Sequence, residues 1–315
     1  MKKKINLITP VYKEEEGITN FDKELRKVLN TLSDKYLFEV IYVLDKSPDR
    51  TAEKIKMLCD ENPNTKLVLL SRRFGHQLSL MAGIDVCDGD ALIMMDCDLE
   101  HPPILIPELL AQFEKGFDIV NTQRQYHEKV SFFKRFTSNL FYKIMNNLSS
   151  LNIEEGTADF RLLSKKAYKE FQKNIREKNP FLRGLVPWIG FEQTKVNFNS
   201  SQRQQGVSKY NIRRLLSFAV AGIIAFSKVP LRWSIFLGFC LSIFSVLYAC
   251  VSVSMYFLSP NHNAPGFPTL LFFITLIGGM QLIVLGIIGE YIGNIFDEVK
   301  NRPLYIIDEI YEGRI

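Results

Sequence analysis

Paired cysteines are missing from this 315-residue chain. Its five cysteines (Cys59, Cys87, Cys97, Cys240 and Cys250) form no Cys-x-x-Cys unit, and two lie in long apolar stretches. A disulfide framework is therefore not expected, and a reduced, cytosol-facing chain is. Gly-x-Gly-x-x-Gly and Gly-x-x-x-x-Gly-Lys-Ser/Thr are both absent, which argues against a dinucleotide dehydrogenase and a P-loop NTPase. No zinc-finger spacing or RNP-like aromatic motif accompanies the mild net charge of +5, so nucleic acid is not an expected partner. Basic residues fall near the apolar segments instead, as they do in chains that meet a membrane surface or phosphate-bearing ligands. Met1-Lys2-Lys3-Lys4 has the charge of a secretory leader, but the apolar run behind it stops at Pro10 and Lys13. That run is too short for a cleaved signal.

What is present begins with Ala91-Leu92-Ile93-Met94-Met95, an uninterrupted apolar run that ends on Asp96-Cys97-Asp98-Leu99-Glu100-His101-Pro102-Pro103. Such a run reads as a strand buried on both faces, and the proline pair ends it. Two carboxylates then sit at the carboxyl edge of a sheet, where α/β proteins bind ligands. Hard oxygen donors there suit Mg²⁺ or Mn²⁺ shared with phosphates. The same Asp-x-Asp spacing in Asp88-Gly89-Asp90 reads as an ordinary solvated turn.

Further strands are expected at Ile5–Thr9, Phe38–Leu44, Lys66–Leu70 and Phe117–Thr122. Helices should start at Glu14-Glu15-Glu16, at Pro48, at Gln77 and at Pro103, the acidic run suiting a helix dipole and Ser47 a cap. This alternation predicts an α/β domain with a doubly wound, mostly parallel sheet. Tyr12, Glu14, Asp45, Arg72, Asp96, Asp98 and Arg124 would then face one crevice. Val130–Leu148 reads as an amphipathic helix whose aromatic face is core or a groove for a lipid chain, and Asn199–Val207 as a mobile loop ending on Ser208-Lys209-Tyr210.

Beyond it, Leu215–Ser227 is apolar but short, with Arg213 and Arg214 before it and Lys228 and Arg232 after. An interfacial helix is expected there. Ser234–Leu258 and Thr269–Gly289 are uncharged and of spanning length, which is roughly 20 residues. The loop between them lacks Lys and Arg, so the positive-inside rule puts the N-terminal domain and the C-terminal tail in the cytosol. Gly286, Gly289 and Gly293 form a small-residue face for hairpin packing or for a homo-oligomer through the membrane helices. The expected division is 1–207, 208–232, 233–295 as a two-helix hairpin, and 296–315 as a cytosolic tail.

Several stretches together resemble the family-2 glycosyltransferases. They are Pro10-Val11-Tyr12-x-Glu14-Glu15, Asp45-x-Ser47-x-Asp49-x-Thr51, Ser71-Arg72-x-Phe74-Gly75-His76, Met95-Asp96-x-Asp98-Leu99-x-His101-Pro102-Pro103, Asp159-Phe160-Arg161-Leu162 and Arg203-x-x-Gly206-x-Ser208-Lys209-Tyr210. In order and spacing they are most similar to the polyprenyl-phosphate branch, that of dolichyl-phosphate mannose synthase, in its bacterial form with two C-terminal membrane helices. The resemblance implies a GT-A fold and an inverting transfer of sugar from a nucleoside-diphosphate sugar to undecaprenyl phosphate or a similar lipid, at the cytosolic face of a bacterial inner membrane. It implies Mg²⁺ or Mn²⁺ on Asp96 and Asp98, and nucleotide contacts from Pro10, Tyr12, Glu14, Asp45, Arg72 and Asp96. It also implies phosphate contacts from Arg124, Arg161, Arg203, Ser208 and Lys209. Catalysis would involve Asp98, Arg203 and Asp159, the last as base. A phosphate monoester is already largely anionic at pH 7, with a second pKa of about 6, so orienting sugar or acceptor is the other role open to Asp159.

The chain departs from the family pattern at Leu44-Asp45-Lys46-Ser47, where Asp-Asp-Gly-Ser is usual, and at Lys13, where Asn is usual. Ser200 stands where an Arg often precedes Arg203. These departures touch base recognition more than sugar transfer. They also motivate the alternative of a non-catalytic membrane scaffold. A polysaccharide synthase fits less well, because Arg232-Trp233 lacks its Gln partner. His101 reads as a turn residue, His76 as packing or capping, and Asp159 with Arg161 as a structural ion pair if not a site.

Overall fold

The computed structural model describes residues 2–125, 157–199, 227–258 and 266–313. The expected helix at 130–148, the expected loop after Asn199, most of the expected interfacial helix, and Arg203, Ser208 and Lys209 lie outside them.

Eight strands make one mixed sheet: β1 (Lys3–Val11), β2 (Tyr36–Leu44), β3 (Thr65–Leu70), β4 (Ala91–Met94), β5 (Ile119–Gln125), β6 (Thr157–Ser164), β7 (Gln193–Asn199) and β8 (Ile307–Tyr311). Their order is β7-β5-β6-β4-β1-β2-β3-β8. The central β4-β1-β2-β3 unit is parallel; β6 runs antiparallel to both β4 and β5, and β8 antiparallel to β3. Every residue of β1 from Ile5 to Val11 is buried, as required of a central strand with layers on both faces. Ile5, Leu7 and Ile8 are fully buried, each contributing about 1.5–3 kcal/mol of apolar transfer.

The helices supply those layers. In α1 (Ile18–Leu32) the residues Ile18, Phe21, Leu25 and Leu29 recur on one face and are buried. α1 begins after Gly17, so Glu14–Glu16 precede the helix; the Glu14 carbonyl accepts the amides of Gly17 and Ile18. α2 (Thr51–Glu61) likewise starts later than a Ser47 cap would have it, with Asp49 engaging the Thr51 hydroxyl at 2.8 Å and its amide at 3.5 Å. α3 (His76–Asp85) lies so close to β1 that a Cβ on Gly83 would run into the side chain of Ile8. A 3₁₀ turn (Pro103–Leu105) leads into α4 (Ile106–Glu114). α5 (Lys165–Lys173) is capped by Ser164, which accepts the Ala167 amide at 3.2 Å, and α6 (Leu182–Trp188) follows.

Two compact units divide the chain: one holds the sheet and takes in everything from Arg302 onward, the other holds the last two helices up to Asn301. The segment expected as a separate tail therefore ends in the sheet. β8 is fixed to it by Lys56 on Glu309 at 2.7 Å, Lys66 on Glu312 at 2.9 Å, and the Ser71 amide on the Ile306 carbonyl at 2.9 Å.

α7 (Val229–Leu258) and α8 (Gly266–Val299) outrun the uncharged segments read from the sequence, α8 continuing ten residues past Gly289. Their apolar windows, Val229–Val251 and Phe272–Val299, are 23 and 28 residues long, enough to cross a membrane. Phe236, Phe239, Leu282 and Ile283 are 64%, 65%, 71% and 64% exposed. Helices apolar all round and uncovered by protein are suited to lipid.

Candidate active site

The strand order 3-2-1-4 reverses between β1 and β4, and in open α/β sheets ligands bind at such a switch, outside the carboxyl ends of the strands. Asp96 and Asp98 follow β4 directly. The Met95 amide still pairs with the Ile8 carbonyl at 3.0 Å, and the Cys97 thiol points back to the Pro10 carbonyl at 3.7 Å. Cys97 therefore anchors the turn in β1 while its two neighbours are turned outward. The turn closes through Asp98, whose Oδ1 accepts the Glu100 amide at 3.0 Å, with Leu99 left-handed at φ 60°. A left-handed leucine costs on the order of 1–3 kcal/mol, and such outliers cluster at functional sites.

Both histidines read as packing or turn residues belong to this site. His76 Nε2 donates to Asp96 Oδ1 at 2.8 Å. His101, 4% exposed and stacked on Phe160 at 5.3 Å, accepts the Asp96 amide on Nδ1 at 3.0 Å. An accepting Nδ1 bears a lone pair, so its 3.5 Å approach to Asp96 Oδ2 is not an ion pair. Burial disfavours charge on both His76 and Asp96, but their mutual hydrogen bond outweighs it, holding the His76 pKa above and the Asp96 pKa below the ordinary value. Asp98 goes the other way: burial, followed by the like charges of Asp96 and Glu100, pushes its carboxyl up.

Crowded carboxylates with oxygen-only donors fit a hard divalent cation. Among the described residues no group of three or more His, Cys, Asp or Glu is arranged to hold a metal. A cation on Asp96 and Asp98 would thus need oxygens from a ligand, as Mg²⁺ commonly takes them from phosphates.

Asp45 is buried, and its two oxygens accept the amides of Phe74 and Gly75 at 2.9 and 2.8 Å. These amides belong to the two residues that precede α3, so Asp45 anchors the start of that helix. Gly75 has φ +97°, a conformation that favours glycine. The anchor places His76, the first helical residue, against Asp96. Pro10 is buried at the end of β1, while Tyr12 lies under the Arg73 guanidinium at 4.1 Å. The Glu14 amide donates to Thr51 Oγ1 at 3.1 Å, and Arg72 stacks on Phe74 at 4.0 Å. Lys13 is left-handed at φ 57°, which explains why asparagine suits this position elsewhere.

β6 brings in the third carboxylate. Its antiparallel register pairs Met94 with Arg161; two residues further along, Asp159 comes level with Asp96. Arg183 Nε and Nη2 clasp Asp159 Oδ1 and Oδ2 at 3.0 and 2.8 Å. Despite burial, Arg183 first and Arg161 second hold the Asp159 carboxyl far below the usual range. Arg161 is wholly buried, donating to the Ala158 carbonyl at 3.0 Å and lying 3.5 Å from Asp159. Arg161, expected at a phosphate, is thus packed beside Asp159 with no exposed surface. Burial lowers its pKa to about 10. Arg124 reaches the Asp98–Glu100 turn by an ion pair with Glu100 at 2.9 Å.

His76, His101 and Arg183 went unassigned in the sequence because they come from a helix start, a loop and another helix start. One chain of contacts joins two of them: Leu182 N–H donates to Gln77 Oε1 at 3.1 Å, and Gln77 Nε2 lies 3.3 Å from His76 Nδ1.

The chain is 36% identical over 312 residues to a bactoprenol glucosyl transferase of Shigella phage SfII, covering 98% of this chain and 99% of that one. An uncharacterized glycosyltransferase of Synechocystis sp. is 37% identical over 307 residues, covering 98% and 95%. Among solved structures, a mannosyltransferase from Pyrobaculum calidifontis in complex with GDP-Man and Mn²⁺ shares the fold at TM-score 0.50 and 14% identity, over 96% of this chain and 87% of that one. The profile of glycosyl transferase family 2 matches residues 7–171, a stretch from within β1 to within α5 that includes all three carboxylates. The chain belongs to glycosyl transferase family 2, and it is a glycosyltransferase.

Proposed function

We propose that the protein transfers a sugar from a nucleoside-diphosphate sugar to a polyprenyl phosphate at the cytosolic face of a bacterial inner membrane, inverting the anomeric centre. The observation that carries this reading is near full-length similarity to a bactoprenol glucosyl transferase, in a chain that keeps Asp96 and Asp98 at the switch point and two long apolar helices. In this reading an acceptor phosphate oxygen attacks the anomeric carbon, and the bond to the diphosphate breaks on the opposite side. Asp96 and Asp98 would hold Mg²⁺ or Mn²⁺, which supplies positive charge against the departing diphosphate, worth several kcal/mol.

The chain's own residues do the rest. His76 and His101 fix the Asp96 carboxylate and its backbone, as outer-shell groups do for metal ligands. The resemblance assigns Pro10, Tyr12, Glu14 and Arg72 to the nucleotide, and Asp45 would support that end through its hold on the start of α3. Arg124 steadies the Asp98–Glu100 turn. The resemblance further assigns Arg203, Ser208 and Lys209 to phosphate.

Purified protein with Mg²⁺ or Mn²⁺, undecaprenyl phosphate and a panel of nucleotide sugars should yield a lipid-linked monosaccharide. Asp98→Ala should abolish it. Absence of product and of nucleotide binding with every donor would sink the proposal in favour of a scaffold. A cysteine placed at Asn263 should be labelled from outside intact cells; labelling only after lysis would reverse the orientation.

A further inference from the structure

α3 is only ten residues long, and both of its ends are held by other elements. Isolated helices shorter than about 12–15 residues are marginal in water, so such anchors decide where it sits. Its middle lies hard against the sheet, where a Cβ on Gly83 would meet the side chains of Ile8 and Val43. At its head, His76 donates to Asp96 and Gln77 accepts the Leu182 amide.

The foot carries a charge of the wrong sign. Asp85, the last residue of α3, puts a carboxylate at the negative end of the helix dipole, and no basic residue stands in the last turn to offset it. The offset comes from elsewhere in the chain. Arg176 Nη1 donates to Asp85 Oδ1 and Oδ2 at 2.7 and 2.8 Å, and the Tyr305 hydroxyl donates to Oδ2. Gln172 Nε2 donates to the last carbonyls, those of Ile84 and Cys87, at 2.7 and 2.9 Å. Tyr305 belongs to the tail that follows α8, seated here by buried Leu304 and by Lys178 on the Arg302 carbonyl. A carboxylate that opposes its own helix is thus the hook on which the tail closes.

We infer that Tyr305 and Asp85 are positioning residues of the transfer: by fixing the foot of α3 they fix His76, at its head, against Asp96. Head and foot are about 15 Å apart along one helix, and densely packed interiors transmit strain instead of absorbing it. The 2.8 Å bond from His76 to Asp96 depends on distance and angle, so a shifted helix weakens it. Asp96 would then be held less firmly for a cation, as happens when an outer-shell partner is displaced. The tail has a second fastening, Lys56 on Glu309 at 2.7 Å, which reaches α2 and not α3. Only the Tyr305 fastening acts on the helix that carries His76.

This inference rests on the cation site and sugar transfer proposed above, and the test separates them. Full-length wild type, Tyr305→Phe, Asp85→Asn and Glu309→Gln are compared in detergent. The first readout needs neither metal nor substrate: hydrogen exchange of the α3 amides, followed by mass spectrometry. Tyr305→Phe should speed exchange by about 3–30-fold in peptides covering Phe74–Leu80 as well as Met81–Cys87, the size of coupling through a shared backbone element. The second readout is Mn²⁺ binding with UDP or GDP present, followed by the paramagnetic resonance of the free ion. Half-saturation of Tyr305→Phe should need about 3–30-fold more Mn²⁺. Turnover should follow the same Mn²⁺ dependence, with KM for undecaprenyl phosphate unchanged. Asp85→Asn loses the charge that Arg176 clasps, and should show both changes even if Tyr305→Phe does not fold. Glu309→Gln loosens the tail away from α3 and should match wild type. In a His76→Ala chain, adding Tyr305→Phe should change Mn²⁺ binding by less than about twofold, because its route is already cut. Faster exchange confined to Met81–Cys87, with wild-type Mn²⁺ binding, would overturn the inference. So would equal effects from Glu309→Gln, or a full-sized Tyr305→Phe effect in the His76→Ala chain. A wild type that turns over no donor refutes sugar transfer, and one that binds no Mn²⁺ with either nucleotide refutes the cation. In both cases exchange at Phe74–Leu80 still decides whether the clasp reaches His76.

Discussion

β4 has an Asp-x-Asp pair at each end, and the two pairs have opposite electrostatics. At the amino end, Asp88 meets Lys4 at 2.6 Å and Asp90 accepts the Lys4 amide at 2.9 Å. The Gly89 amide donates to buried Asn6 at 2.7 Å, and its carbonyl accepts the Tyr168 hydroxyl at 2.6 Å. The turn is solvated at both carboxylates, as expected, and is also held by these contacts. Its Asp88 carboxyl is pulled down by the Lys4 hydrogen bond, whereas Asp98 at the other end is pushed up by burial and by acidic neighbours. Identical spacing thus yields a clasp where β1 supplies a lysine, and a cation-seeking mouth where the crevice opens. What separates them is the sheet edge on which each pair falls.

The largest effect should come from deleting one carboxylate at each end. Asp98→Ala should lower turnover by about 10³-fold or more, matching the several kcal/mol a bound ion supplies, with an unchanged melting profile. Asp88→Ala should stay within twofold of wild-type turnover. Equal losses from the two would break the comparison. Next in size, His76→Ala should cost roughly 10–100-fold, the usual effect of removing an outer-shell partner, and much of the loss should return as Mn²⁺ is raised. A loss indifferent to the metal concentration would place His76 outside the cation site. Smaller still, Asn6→Ala should leave the buried Gly89 amide unpaired and cost about 1–3 kcal/mol of stability. Activity per folded molecule should persist, since Asn6 serves only the closed end; a selective loss of kcat would show the two ends to be coupled.

The parallel half of the sheet was legible because each of its strands carries a largely apolar run, a pattern that survives without knowledge of partners. β8 was not: its residues alternate between half-buried and exposed, and it pairs with β3 from the far end of the chain. Site residues divide in the same way. Asp96 and Asp98 are visible because strand ends in such sheets face the ligand, whereas Asp159 is visible only through the family resemblance, since no strand was expected at β6. Asp45 follows the end of β2 and Arg161 pairs with the last residue of β4, but their depth is set by what lies over them: the start of α3 for Asp45, and Asp159 with Arg183 for Arg161. The start of α1 was misplaced because acidic residues suit a first turn anywhere, while Gly17 decided where the turn begins.

The smallest effect should come from Lys4→Met. Its ion pair with Asp88 is solvent-exposed on the acid side, 29% against 67%, and such pairs are worth less than about 1 kcal/mol. Glu39, the other partner of Lys4 at 3.1 Å, keeps Lys66 at 3.1 Å in the variant. The pH dependence distinguishes a charge effect from lost packing. Asp88 has a lowered pKa in the folded chain, so its share of stability is complete above the ordinary carboxylate value and disappears as pH falls through the lowered one. Lys4 has a raised pKa: burial opposes its charge, but hydrogen bonds to Asp88 and Glu39 prevail. Its share is complete below the ordinary lysine value and disappears as pH rises through the raised one. The gap in melting temperature between wild type and Lys4→Met should therefore be flat across neutral pH, shrink in acid and in strong alkali, and narrow with added salt. A gap that persists unchanged in acid would mean that the lysine stem, and not its charge, closes this end of β4.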